Sequence, residues 1–93
     1  MAIMLSFLSS TPTQMQETLK SKFRSRRRAM KITQAQLATR SNVSLGSIKR
    51  FESSGQISLE SLLKVALVLE CLGDFEGVCQ KREEIPESIE DLL

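Results

Sequence analysis

The stretch 32-ITQAQLATRSNVSLGSIKRFESSG-55 has a pattern that is typical of two short helices joined by a tight turn. Thr33 is suited to cap the first of these helices, and Gln36 stands three residues later, where it completes a capping box. The helical periodicity breaks around Asn42, the residue type that adopts a left-handed backbone most readily after glycine. Ser44 then predicts the start of the second helix.

A longer helix is expected before this stretch. Thr11 as N-cap and Pro12 at the first helical position predict where it begins, and it should run to about Ala29. Apolar residues that recur every four positions predict its inward-facing stripe: Met15, Leu19 and Phe23.

Two further helices are expected after Gly55. Ser58 predicts the start of the first, which should extend through 59-LESLLKVALVLECL-72 to a C-cap at Gly73. It is apolar almost all round, which is typical of a central core helix or of one shared with a second subunit. The residues available for burial are Leu59, Leu62, Leu63, Ala66, Leu67 and Leu69. A short last helix is expected over residues 74–80.

Composition narrows the class of protein. The 93 residues suffice for one small domain with a single core. The absence of His, Trp and Tyr removes the commonest general base, the commonest metal ligand and most stacking aromatics. Cys71 and Cys79 fit neither a zinc spacing nor a secreted disulfide framework. We therefore expect no enzymatic activity, no cofactor and no metal.

The N-terminal stretch 1-MAIMLSFLSS-10 is apolar but lacks the positively charged segment of a signal peptide, and it is too short for a membrane helix. A cytoplasmic protein without a membrane partner is expected. Charge divides the chain into two halves. Residues 17–50 hold ten Lys and Arg against one acid, whereas residues 51–93 hold ten acids against three Lys and Arg. A basic half favours a polyanion such as DNA, and an acidic half is free to face water or a protein.

The central stretch resembles the Xre/Cro/lambda-repressor helix-turn-helix family. The residues that carry the resemblance are Ile32, Thr33, Gln34, Leu37, Ala38, Val43, Ile48, Phe51 and Glu52. The resemblance implies an all-α, compact five-helix lambda-repressor-like domain over residues 12–80, between an N-terminal tail, 1–11, and an acidic C-terminal tail, 81–93. It also implies a structural ion pair between Arg27 and Glu52. The chain departs from the family at Lys31 and Asn42, where glycine is frequent.

A narrower resemblance lies in residues 44–78 and 86–93, which are similar to the HipB-like regulators found beside HipA-like kinases. It implies a transcriptional repressor that controls its own toxin–antitoxin operon and has a HipA-like kinase as a possible partner. Two alternatives stay open. One is a protein-interaction module or antitoxin that binds a kinase with little specific DNA binding, and the other is a phage-type repressor.

The helix after Ser44 is the expected reading helix in the major groove of double-stranded DNA. The expected base contacts are Ser44, Leu45, Gly46, Ser47, Lys49 and Arg50. Arg50 is the first choice, because its planar fork can engage guanine O6 and N7 together. Gly46 either permits a close approach of the backbone to DNA or is merely tolerated near the helix start. The expected phosphate contacts are Gln34, Arg24, Arg28 and Arg40.

One such domain contacts only a few base pairs, so a homodimer on an inverted-repeat operator is expected. The expected dimer interface consists of apolar residues on and after the fourth helix: Leu67, Leu69, Phe75 and Val78. Residues 2–8 could instead pair as strands across the two-fold axis.

Overall fold

The computed structural model describes residues 10–80, which fold into four α-helices and one 3-10 helix. The helices are α1, Pro12–Ala29; α2, Gln34–Ser41; α3, Leu45–Ser54; α4, Leu59–Val68; and the 3-10 helix η1, Leu72–Gly77. The expected all-α fold is confirmed for these residues. The possible strand at 2–8 and the acidic tail, 81–93, lie outside them.

Each α-helix begins at a hydroxyl N-cap whose side chain accepts a backbone N–H three residues further on. The four caps are Thr11, Thr33, Ser44 and Ser58. The first two form full capping boxes, because the side chains of Gln14 and Gln36 also accept the backbone N–H groups of Thr11 and Thr33. All four starts agree with the sequence pattern, since an N-cap is a local device that needs no tertiary contact.

A single core cluster lies between the helices. Its buried apolar residues are Phe23, Ile32, Leu37, Val43, Ile48, Phe51, Leu62, Val65, Ala66 and Leu69. Phe23 packs edge-on against Phe51 of α3, with ring centroids 5.5 Å apart, and its ring also lies 6.4 Å from that of Phe75 in η1. Phe23 therefore connects α1 to both the third helix and the end of the domain.

The fourth helix is shorter than its sequence predicts. It ends at Val68 rather than near Gly73, because Glu70 takes a left-handed backbone with φ of 61°. The guanidinium group of Arg26 donates to the Leu69 and Glu70 carbonyl oxygens, at 2.7 and 3.1 Å, and so caps the end of this helix. The last helix is correspondingly the 3-10 helix Leu72–Gly77 instead of residues 74–80.

Three apolar residues lie at the surface where burial was expected. Met15 is 49% exposed, and Leu59 and Leu67 are 67% and 64% exposed. Leu59 and Leu67 lie two turns apart with Leu63 between them, so they mark one unpartnered stripe along α4. Among residues 10–80, no helix combines the length and the apolar character that crossing a bilayer requires.

Candidate nucleic-acid interface

The turn between α2 and α3 fixes the angle at which α3 leaves the domain. Asn42 takes the left-handed conformation, with φ of 58°, and its neighbours on both sides are buried. The N–H of Val43 donates to the Ala38 carbonyl at 3.2 Å, and the Ser41 hydroxyl donates to the Leu37 carbonyl at 2.7 Å. These bonds close the end of α2 and leave α3 free to start at once.

Helix α3 has one buried and one exposed face. Ile48, Phe51 and Glu52 are buried against the domain. The opposite face carries Gly46, Lys49, Arg50 and Ser53, all of them exposed. A helix about 10–12 Å wide with one free polar face has the dimensions that the major groove of B-DNA accepts. Ser53 belongs to this face through its spacing of seven from Gly46.

At the start of α3, the hydroxyl groups of Ser44 and Ser47 are hydrogen-bonded to each other. The Ser44 hydroxyl accepts the Ser47 backbone N–H at 3.1 Å and donates to the Ser47 hydroxyl at 2.8 Å. Ser44 therefore serves first as a cap, and a base contact from it would have to share the hydroxyl. Leu45, 37% exposed, lies beside them. Among residues 10–80, a Cβ atom at Gly46 would meet nothing within 4 Å, so no contact with this part of the chain requires glycine at this position.

Three helices meet at a partly buried ion pair behind α3. Arg27 of α1 holds Glu52 of α3 with two hydrogen bonds, from Nε to Oε2 at 2.7 Å and from Nη2 to Oε1 at 3.0 Å. Its Nη1 donates to the Ile32 carbonyl at 2.9 Å. The Gln34 side chain of α2 donates to Glu52 Oε1 at 2.9 Å. The network therefore fixes the position of α3 relative to α1 and α2.

The charge state of Glu52 depends on this network. Burial raises the pKa of its carboxyl group, but the hydrogen bonds from Arg27 and Gln34 and the positive charges of Arg27 and Arg24 outweigh burial. The pKa of Glu52 therefore lies below its usual value, and the group is ionised at neutral pH.

The expected phosphate contacts differ in their surroundings. Gln34 was expected to meet a phosphate with its side chain and the free backbone N–H groups at the start of α2. Its side-chain nitrogen donates to Glu52, whereas the backbone N–H groups stay free. Arg28 and Arg40 are exposed in the last turns of α1 and α2, where they also complement the helix dipole. Within residues 10–80, the side chains of Arg24, Arg28 and Arg40 form no hydrogen bond or ion pair.

The residues expected at a dimer interface are also divided. Leu69 is fully buried in the core of its own chain, so its side chain is unavailable to a partner. Phe75 is partly buried against the same core. Leu67 and Val78 are each 64% exposed.

The structure adds residues that the sequence pattern did not single out. A polar pocket of about 270 Å³ lies between α3 and the start of α4, lined by Ser47, Arg50, Gln56, Ile57, Ser58 and Ser61. Its wall includes the N-terminal end of α4, where backbone N–H groups favour an anion. The sequence does show a Ser-rich segment before the N-cap of α4, but only the fold brings that segment beside Arg50.

Residues of α1 also hold the far end of α3. The Lys20 ammonium group donates to the Ser53 carbonyl at 3.3 Å, and the Gln16 side chain donates to the Gly55 carbonyl at 3.4 Å. Two observations favour glycine at position 55. Its backbone has a φ of 81°, and an added Cβ atom would lie only 3.2 Å from the Cβ atom of Gln16. Polar positions facing outward on α1 gave no sign of this role in the sequence.

Comparison with known proteins agrees with this geometry. The helix-turn-helix family model matches residues 23–74, which include the ion pair, both helices of the turn and most of the core. No curated protein and no solved structure matches the chain. Because the family model covers more than half of the 93 residues, the chain belongs to the helix-turn-helix family and is a DNA-binding transcription regulator of the Xre/lambda-repressor type.

Proposed function

We propose that the protein is a sequence-specific repressor that binds double-stranded DNA as a homodimer, with α3 in the major groove. The single observation that carries the proposal is the exposed face of α3, where Lys49 and Arg50 project without an intramolecular partner among residues 10–80. Two cations on a helix held rigidly from behind by the Arg27 network are suited to meet bases rather than to stabilise the domain.

Arg50 is the proposed main base contact and Lys49 its neighbour on base or phosphate. Gly46 and Ser53 continue the same face at spacings of three, four and seven, so that the whole length of α3 can follow the groove. Leu45 is suited to a thymine methyl group, and the Ser44 and Ser47 hydroxyls to either donor or acceptor atoms.

Phosphates on either side of the groove would be held by two helix N-termini. The start of α2 at Gln34 supplies the first, with Arg24, Arg28 and Arg40 as nearby or longer-range cations. The pocket beside Arg50 supplies the second, since the start of α4 at Ser58 and the Gln56 side chain border it. Phosphate contacts fix the register in which α3 can read the bases.

The proposed dimer forms through the stripe Leu59, Leu63 and Leu67 on α4. The two outer leucines are exposed, and they lie beside the buried face of the same helix, so a second copy could extend the core across a two-fold axis. Val78 was grouped with this interface from the sequence; its surroundings favour another role, described below.

Selection from a random duplex library tests the proposal. We expect an enriched inverted repeat whose half-sites are about 34 Å apart. In the Arg50→Ala variant, affinity for that sequence should fall by about 1 to 3 kcal/mol, and selectivity at one base pair should relax. Fluorescence anisotropy at two salt concentrations, with the selected duplex and with duplexes changed at one base pair, measures the affinity and the selectivity.

Lys64→Ala is the matched control, because it also removes one positive charge but lies on α4 in an exposed pair with Glu60, at 3.5 Å. It should leave affinity and selectivity nearly unchanged. Equal losses from both variants would mean that charge alone binds DNA, and failure of any sequence to be enriched would contradict a specific regulator.

A role in a toxin–antitoxin operon, with a HipA-like kinase as partner, is the narrower form of the proposal. It is supported by the resemblance of residues 44–78 to HipB-like regulators. Co-purification with the product of a neighbouring kinase gene would test it. A partner-binding module without specific DNA binding is the competing function, and it predicts a kinase complex together with an empty DNA selection.

A further inference from the structure

An apolar groove of about 380 Å³ lies between α1 and η1. Its apolar lining consists of Leu19, Phe23, Cys71, Phe75 and Val78. It takes no part in the proposed DNA surface, because none of its lining residues belongs to α2, to α3 or to the pocket beside Arg50. The exposed Met15 extends the apolar surface by one turn of α1.

The groove carries positive charge along α1. Lys22 and Arg26 both border it, and within residues 10–80 Lys22 forms no ion pair. Arg26 uses its Nε and Nη2 atoms on the carbonyl groups that end α4, but it keeps its charge. The opposite wall contains Asp74, so an acidic occupant would have to turn its carboxylates toward α1.

The chain leaves the described region beside this groove. Val78 is a lining residue, and the described part ends two residues later at Gln80. Thirteen residues follow, of which five are acidic. The apolar residues among them recur at helical spacing: Ile85, Ile89, Leu92 and Leu93.

We infer that segment 85–93 of the same chain occupies the groove, placing its apolar stripe on Phe23, Phe75 and Val78 and its carboxylates beside Lys22 and Arg26. The dimensions agree, because Ile85 and Leu92 are seven residues apart, as are Leu19 and Arg26, and seven helical residues span about 10 Å. A linker of four residues from Gln80 keeps the segment at high effective concentration.

Charge favours this segment over the other free end of the chain. Residues 1–9 contain no acidic side chain, so they could cover the apolar lining but could not use Lys22 and Arg26. The acidic C-terminal segment is the occupant that complements both the apolar lining and the charged border.

Thiol labelling of Cys71 in the full chain tests the inference, with Cys79→Ser removing the second thiol. Burial raises the pKa of the Cys71 thiol, so labelling is followed at alkaline pH. We expect Ile89→Glu or Leu92→Glu to raise the labelling rate roughly tenfold, as loss of an intramolecular docking equilibrium of about ten requires. Circular dichroism verifies that the domain stays folded.

Gln80→Glu is the matched control, because it adds the same charge at an exposed position outside the groove, and it should leave the rate unchanged. Lys22→Glu alters the groove itself and should raise the rate by repelling the segment. Equal rates for the original chain, the tail variants and Lys22→Glu would overturn the inference. Protection that increased with protein concentration would identify a second copy as the occupant and would also overturn it. None of these readouts involves DNA, so the result is independent of the proposed function.

Discussion

Lys31, which follows the C-cap of α1 at Met30, and Asn42, the C-cap of α2, both have a left-handed backbone, with φ of 59° and 58°. The two residue types differ in how well they tolerate it. Asparagine visits this conformation readily, whereas lysine has a Cβ that crowds the carbonyl oxygen and no short polar group to compensate. The domain therefore stores strain at Lys31, one residue before the buried Ile32.

Replacing Lys31 by glycine should release this strain. We expect Lys31→Gly to raise the free energy of unfolding by about 1 kcal/mol. Glycine avoids the roughly 1 to 2 kcal/mol cost of the left-handed region, and its greater loss of entropy on folding offsets part of this gain. Urea denaturation measures the change. Asn42→Gly serves as the comparison and should gain less; a larger gain at Asn42 would contradict the explanation.

Gly46 presents the opposite situation, a glycine that the fold does not need. Gly46→Ala should stabilise the protein by about 1 kcal/mol, since alanine is the better helix former and the added methyl group meets no atom within 4 Å. We expect the same change to weaken binding to the selected operator, because the methyl group would lie between α3 and the DNA.

Gly73→Ala is the control for this pair of measurements, as its Cβ also meets nothing but lies in η1, away from the DNA face. An operator affinity equal to that of the original protein in Gly46→Ala would show that Gly46 is merely tolerated.

Among the helices, the Arg27–Glu52 network connects α1, α2 and α3 by hydrogen bonds. Because the folded-state pKa of Glu52 is lowered, its contribution to stability is present above the unfolded value of about 4.3 and is lost as the pH falls through the lower folded value. Stability should therefore decrease progressively below about pH 4, as measured by urea denaturation across a pH series.

Glu52→Gln should lower the free energy of unfolding at pH 7 by roughly 3 kcal/mol, because it leaves the partly buried Arg27 without a counter-charge, and it should flatten this acid dependence. Glu60→Gln removes an exposed carboxylate and should change stability by less than about 1 kcal/mol. A similar effect from both substitutions would mean that the network contributes no more than a surface pair.

A boundary of a helix could be predicted from the sequence where residues of the same helix determine it. The helix starts were predictable because Thr11, Thr33, Ser44 and Ser58 cap their own helices. The end of α4 was not, because it is set by Arg26 from a distance of 43 residues along the chain. The exposed face of α3 could also be inferred, because it depends only on residue spacing within one helix. The pocket beside Arg50 could not be inferred, because it lies between α3 and the start of α4, which only the fold brings together.

At the scale of the whole molecule, α4 divides its apolar residues between two tasks. Leu69 is buried within the chain and Leu67 faces outward, although both were available to either task in the sequence. Leu67→Glu should therefore leave folding nearly intact but dissociate the proposed dimer, with sedimentation showing a monomer and operator affinity falling. Leu69→Ala should instead cost about 2 to 5 kcal/mol of stability.

If Leu67→Glu stayed dimeric at micromolar concentration, the α4 stripe would not be the interface. If Leu69→Ala were as stable as the original protein, its place in the core would be contradicted. The two substitutions thus separate association from folding within one turn of helix.

Helix α1 touches the carbonyl ends of both α3 and α4, through Gln16 and Lys20 on one and Arg26 on the other. Force applied to α3 by a bound duplex would therefore pass into α1 and from there to the last turn of α4. Slowed amide hydrogen exchange in α1 on DNA binding would accordingly report mechanical coupling, and by itself would not place that helix on the DNA.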